Sequence, residues 1–128
     1  MRLLLDTHAF LWIAEGLADV SPHVLEAYRD RNNEVLLSVV SAWEIQVKLQ
    51  AGKLELDDPL DELINTERDR NGLKILPVEL AHVFALGELE MHHRDPFDRL
   101  LVAQAITEKA KLITVDGELA KYPVEILW

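Results

Sequence analysis

MRLLLDTHAFLWIAEG, residues 1–16, sets the reading of the whole chain. Leu3, Leu4 and Leu5 make a short apolar run of the kind that fills a buried strand. Directly after it stand Asp6 and Thr7, and then a new apolar stretch that reads as a helix. An aspartate at the end of a buried strand is either a helix cap or a ligand. The remaining segments have to discriminate between the two.

Outward from this stretch, cap and turn signals divide the chain into alternating strands and helices, with no repeat and no low-complexity segment. Short apolar runs predict strands at residues 3–5, 35–38, 73–76, 112–115 and 124–127. They are continuous rather than alternating, as in a parallel sheet covered on both faces. Helices are predicted at 8–15, 22–31, 42–50, 59–70, 79–90 and 96–110. Several of these starts carry a capping residue followed by proline: Ser21-Pro22, Asp58-Pro59 and Asp95-Pro96. Gly52 and Gly72 stand where helix ends favour a left-handed residue. The alternation implies a single α/β domain over residues 1–128, three-layer α/β/α with a short, mostly parallel central sheet. In such folds ligands collect at the carboxyl ends of the strands. Asp6 stands at one of those ends.

Composition narrows the class. The chain has 128 residues, 49% hydrophobic and 28% charged, as for an ordinary globular domain. It has no cysteine, which removes disulfides and thiolate metal sites. Asp6 interrupts the opening apolar run too early for the core of a signal peptide, and no later stretch approaches the ~18 apolar residues of a membrane span. A soluble cytoplasmic protein with no membrane partner is therefore expected. The formal charge is −10, from 23 acidic and 13 basic residues, which argues against coating nucleic acid by bulk electrostatics. A nuclease that grips phosphates through metal ions is still compatible, because the ions reverse the local field.

Four carboxylates occupy strand ends or helix starts. Asp6 follows the first strand. Glu44 lies three residues after Ser41 in SVVSAWEIQVKLQAGKL, the spacing of a capping box. Asp98 lies in HRDPFDRLLVAQA, where Asp95 can cap, Pro96 can open a helix and Asp98 can favour its dipole. Asp116 follows LITV and precedes Gly117, so it too can cap a turn. Each has a structural explanation when taken singly. Together they can be carried by an α/β topology to one edge of the sheet, where they would repel one another and raise one another's pKa unless cations lay between them. Oxygen ligands of this kind suit Mg²⁺ or Mn²⁺, and no histidine and cysteine set exists for a structural zinc.

The four segments MRLLLDTHAFLW, SVVSAWEIQVKLQAGKL, HRDPFDRLLVAQA and LITVDGELAKY, in this order and spacing, resemble a PIN-domain ribonuclease of the VapC toxin type. The resemblance covers nearly the whole chain. It implies a PIN-like fold and a metal-dependent endoribonuclease that hydrolyses RNA with Mg²⁺ or Mn²⁺ as the toxin of a toxin-antitoxin pair. By the same resemblance Asp6, Glu44, Asp98 and Asp116 correspond to the acidic metal-binding and catalytic quartet, with Thr114 as a supporting hydroxyl. Thr7 and Asp95 stand beside the quartet as supporting or substrate-contacting residues, Asp95 equally readable as a cap. The resemblance further implies a cognate antitoxin, which would bring a basic segment to the acidic pocket, and a homodimer.

Other residues carry weaker signals. Arg99 and Lys48 are placed to touch substrate phosphates, although Lys48 can equally form a helical ion pair with Glu44. His92 and His93 are adjacent, and adjacent side chains in an extended segment point apart, so a solvated or RNA-facing loop is expected rather than a metal site. Trp12 and Trp43 sit in apolar helical stretches and read as core. Two readings compete with the nuclease. One is a catalytically inactive PIN-like scaffold that binds RNA or protein, against which the complete quartet counts. The other is a phospho-acceptor receiver domain, against which the missing acidic pair at the first strand end counts.

Overall fold

The structure, a computed structural model, describes residues 1–17 and 19–128. Five strands, β1 (Arg2–Leu5), β2 (Glu34–Ser38), β3 (Lys74–Leu76), β4 (Lys111–Ile113) and β5 (Ile126–Leu127), form one sheet in the order β3-β2-β1-β4-β5. Every neighbouring pair is parallel. Six α-helices connect them: α1 (Thr7–Ala14), α2 (Pro22–Arg29), α3 (Val39–Gln50), α4 (Leu60–Asn71), α5 (Leu80–Gly87) and α6 (Pro96–Glu108). A single 3₁₀ turn, Gly117–Lys121, precedes β5 among the described residues. The strand order differs from the 2-1-3-4-5 order of receiver domains, which removes the phospho-acceptor reading.

The apolar strands read as they do because both faces are covered. Leu3 and Leu5 of β1 join Val35, Leu37 and Ile113 in one core with Phe10 of α1, Val24 and Tyr28 of α2, Ile45 of α3 and Leu63 of α4. The alternate residues Leu4, Leu36 and Leu112 turn to the other face, against Leu101, Val102 and Ala105 of α6 and against Leu119 and Tyr122. Successive residues of a strand thus feed opposite cores, the period of two expected of a pleated chain. Helix α5 packs on α6, while α3 touches both α1 and α6 and so closes the carboxyl edge of the sheet.

The predicted elements are present with shifted ends. The ends move most at α5, which stops at Gly87 rather than residue 90, and at α3, which starts at Val39 rather than residue 42. Its cap is Ser38, the last residue of β2, whose Oγ accepts from the Val40 N–H at 3.0 Å. Ser41 and Glu44 are consequently inside the helix and buried, and the expected Ser41–Glu44 capping box does not form. Among the described residues no helix is long and apolar enough to cross a membrane.

Two helix C-caps are left-handed, Gly72 after α4 (φ +68°) and Lys109 after α6 (φ +54°). At Gly72 an added Cβ would lie 2.8 Å from Arg31 Nη1, so it would meet both steric strain and a neighbour. Gly72→Ala is expected to cost about 1–2 kcal/mol. Lys109→Gly removes the Cβ from the same backbone conformation and is expected to add roughly 0.5–1 kcal/mol after the larger unfolded-state entropy of glycine is subtracted. Urea melts of the two variants should move in opposite directions.

Candidate metal-binding acidic site

The sheet order reverses at β1. The chain runs from β1 to β2 and β3 on one side and then crosses to β4 and β5 on the other. This switch point opens a crevice at the carboxyl ends of β1 and β4. The residues that follow those ends are Asp6 and Thr114. The Asp6 N–H donates to the Ile113 carbonyl at 3.0 Å, extending the ladder one residue past β1.

Asp6 is 5% exposed and caps α1, with Oδ1 accepting the Ala9 N–H at 2.7 Å. The cap uses one carboxylate oxygen of the two. Burial raises the Asp6 pKa; hydrogen bonds from Thr114 and Ala9 oppose that rise and the nearby Glu44 adds to it. Thr114 thereby serves two acids, since its Oγ1 also accepts the Asp116 N–H at 3.0 Å. Asp116 in turn caps the 3₁₀ turn, Oδ1 accepting from the Glu118 N–H at 3.0 Å.

Glu44 reaches the same edge from α3 and is 3% exposed. The Thr7 hydroxyl donates to its Oε1 at 2.6 Å and also lies 3.1 Å from Ser41 Oγ. Lys48 Nζ meets Oε2 at 2.7 Å. Of the two readings of Lys48, the ion pair is the one observed, and its hydrogen bond to Glu44 raises the Lys48 pKa. Asp95 caps α6 by accepting from the N–H groups of Phe97 at 2.8 Å and Asp98 at 3.4 Å. It fixes the helix start and so the place of Asp98. Burial, then the charges of Asp95, Glu44 and Asp6, push Asp98 up to about 7, with His93 opposing. Asp98 therefore senses three of the other acids around it.

Three expectations need correction. Arg99 does not face the acids: its Nη2 donates to the Leu89 carbonyl at 3.2 Å, tying the loop before α6 to that helix. Trp43 is not core but 60% exposed, stacked edge-on against Phe97 with centroids 4.9 Å apart, whereas Trp12 is half-buried against Trp128. His93 is not a solvated loop residue. Its Nε2 lies 3.2 Å from Asp116 Oδ2 and 3.6 Å from Asp98 Oδ2. His93, Asp98 and Asp116 present ligand atoms all within 4.8 Å of one another, a tighter group than the quartet itself forms among the described residues. His92 does point the other way, to Glu90 and Tyr122. The alternation that separates the two rings sends one of them into the site.

The Asp98 environment makes a signed prediction for the metal-free chain. An aspartyl pKa raised in the fold contributes stability below its unfolded value near 4 and loses it as pH rises through about 7. Asp98→Asn mimics the protonated form. In chelator at pH 8 it should therefore be more stable than wild type by ~1–2 kcal/mol, allowing for solvent screening of a partly exposed group. Urea melts should show that advantage shrinking steadily as pH falls from 7 towards 4.

Comparison with known proteins agrees with this architecture. The sequence matches the PIN domain family over residues 3–125. No curated protein matches it. Among solved structures, a chain of VapBC2 from Rickettsia felis bound to a promoter DNA fragment superposes with a TM-score of 0.77 at 21% identity, covering 99% of this chain and 98% of that one. A chain of the DNA-bound VapBC of Salmonella typhimurium gives 0.72 at 15% identity, covering 99% and 97%. A toxin-antitoxin complex from Klebsiella pneumoniae gives 0.64 at 17% identity, covering 98% and 96%. With the family match spanning nearly the whole sequence, and acids from β1, α3, α6 and the end of β4 gathered at one sheet edge, the chain belongs to the PIN domain family.

Proposed function

We propose that this protein is a metal-dependent endoribonuclease and the toxin of a toxin-antitoxin pair. The observation that carries the reading is that Asp98 feels the charges of Glu44 and Asp6 while its carboxylate lies in one ligand-distance group with Asp116, near the β1/β4 switch point. PIN domains are generally nucleases that use divalent metal, which supports the chemistry. The segments that resemble VapC-type toxins support RNA as the substrate, and the printed description of the Klebsiella neighbour as a toxin-antitoxin complex supports the pairing.

The donor set fits a hard cation. Its ligands are carboxylate oxygens, burial and mutual repulsion raise Asp98, and Lys48 balances Glu44. Asp6, Asp98 and Asp116 would hold Mg²⁺ or Mn²⁺, with Glu44 completing the set. When bound, the ion supplies hydroxide at neutral pH and stabilises charge on the departing oxygen of a phosphodiester. The chain's own groups position this chemistry. Asp6 and Asp98 sit at capped helix starts, Thr7 and Thr114 hydrogen-bond Glu44 and Asp6, and Asp116, held by its own cap on the 3₁₀ turn, would join the ligand set. No serine or cysteine nucleophile is needed, and cysteine is absent from the sequence.

The net charge of −10 and the acidic edge suit a cognate antitoxin that enters with an arginine- or lysine-bearing segment. Exposed Val39, Trp43 and Val47 along α3, with Leu80, Val83 and Phe84 on α5, give a second copy of the chain apolar surface to cover and support a homodimer. Action on cellular RNA would place the protein in the cytoplasm.

Purified protein is expected to cut RNA in Mg²⁺ or Mn²⁺, to stop in chelator, and to lose at least about 100-fold in rate as Asp98→Asn with its fold intact. Cutting that persists in chelator, after contaminating nucleases are excluded, would remove the metal mechanism. Binding of the co-expressed partner, followed by calorimetry, should weaken when Asp6, Glu44, Asp98 or Asp116 is neutralised. Affinity indifferent to all four would place the partner elsewhere.

A further inference from the structure

His93 enters the acidic site without belonging to the quartet. Its Nε2 stands between Asp116 Oδ2 and Asp98 Oδ2, at 3.2 and 3.6 Å. An imidazole nitrogen so placed has two possible tasks, and they exclude each other. It can offer a lone pair to a metal ion, or it can donate an N–H to a carboxylate. The other ring nitrogen decides which.

The Asp95 backbone N–H lies 3.1 Å from His93 Nδ1. A backbone amide can only donate, so Nδ1 must present its lone pair. The proton of the neutral ring is then on Nε2, facing the two carboxylates. A ligating histidine has the opposite arrangement, in which the remote nitrogen donates its N–H to a carboxylate, carbonyl or water. Here that remote partner is itself a donor. Coordination through Nε2 would require breaking the Asp95 contact or stripping the ring of both protons.

The loop is held on two further sides. The His92 and His93 N–H groups donate to Tyr122 Oη at 3.2 and 3.0 Å, which fastens the segment to the end of the 3₁₀ turn that Asp116 caps. The Asp95 side chain caps α6 and so sets Asp98, while its main chain sets the His93 ring. One short segment thus ties the element carrying Asp98 to the element carrying Asp116.

We propose that His93 is a positioning residue rather than a metal ligand: an Nε2–H donor, its tautomer locked by the Asp95 amide, that holds Asp116 and Asp98 in register across the switch point. The inference rests on the metal-nuclease reading of the site. Its donor bond restrains Asp116, with Asp98 3.6 Å from the same nitrogen, without placing a ligating nitrogen between the two carboxylates.

The test uses the full-length chain with Mg²⁺ or Mn²⁺ alone as probe. Long-range ¹H–¹⁵N correlation of the histidine rings should show the Nε2–H form for His93 in chelator and again in saturating Mg²⁺. Pulsed EPR of the Mn²⁺-loaded protein should show no directly bonded ¹⁴N that depends on residue 93. His93→Gln, whose amide can donate to the same carboxylate, should keep Mn²⁺ affinity close to wild type, and His93→Leu should lose roughly 10- to 100-fold, the usual effect of removing a group that orients metal ligands. An Nδ1–H ring in Mg²⁺, a ¹⁴N coupling that vanishes in His93→Gln, or wild-type affinity in His93→Leu would overturn the proposal while leaving the metal site standing. Failure of wild type to bind either ion would overturn the metal reading as well. Should His93→Leu not fold, the ring tautomer and the Mn²⁺ spectrum of wild type still decide the matter.

Discussion

The site depends on β1 and β4 lying side by side and parallel at the centre of the sheet, with the crossovers leaving on opposite sides. The bond from the Asp6 N–H to the Ile113 carbonyl carries that pairing beyond β1, to the point where the backbone must turn. Asp6 and Thr114 emerge there as neighbours. Once they are fixed, Asp98 arrives with the first turn of α6 and Glu44 with the second turn of α3. A parallel sheet of this size is stable because both faces are buried under leucine and valine, so precision at the edge follows from packing in the middle.

The capping bonds of Asp6 and Asp116 leave room for a second role. A carboxylate has two oxygens, and in Asp6 and Asp116 one of them accepts a backbone N–H while the other is outside that bond. The capping bond costs the site nothing and gives it rigidity, since the side chain is locked to the helix it starts. Asp95 shows the same economy in a different form, its side chain capping α6 and its main chain orienting His93. Four such acids brought together strain the electrostatics of the metal-free chain. Lys48 relieves Glu44, while Asp98 is raised by burial and by the charges of its neighbours, with His93 opposing.

Much of this was legible in the sequence, because the signals involved are local. Short apolar runs and turn signals are readable without knowing what packs against them, and they located all five strands and all six helices, although Ser21 makes no side-chain cap and α4 starts after Pro59 rather than at it. What failed was tertiary. The α3 start moved because Ser38, invisible as a cap while assigned to a strand, both ends β2 and begins the helix. Arg99 follows Asp98 directly, but on a helix adjacent residues diverge by about 100°, and it reached the loop instead of the acids. Trp43 looked like core because its neighbours are apolar, yet Val39, Trp43 and Val47 share an outward stripe. The strand order, and with it the identity of the meeting point, required the fold. His93 was set aside by sound reasoning about alternation that lacked only the direction of the alternation.

Asp6 is proposed to hold a cation while it caps α1. Asparagine caps about as well as aspartate, so a residue that only caps should tolerate Asp6→Asn with a shift of a few tenths of a kcal/mol, the same in any solution. The decisive measurement is a urea or thermal melt of wild type and Asp6→Asn, in chelator and in millimolar Mg²⁺ or Mn²⁺. In chelator the variant should be equal to wild type or more stable, because neutralising the carboxylate relieves its burial and the repulsion from Glu44. With metal the order should reverse, because a site filled at ~100 times its dissociation constant adds about 2.7 kcal/mol to wild type and much less to a weakly binding variant. A difference between the two proteins that is identical in both solutions would make Asp6 a cap alone and contradict the account.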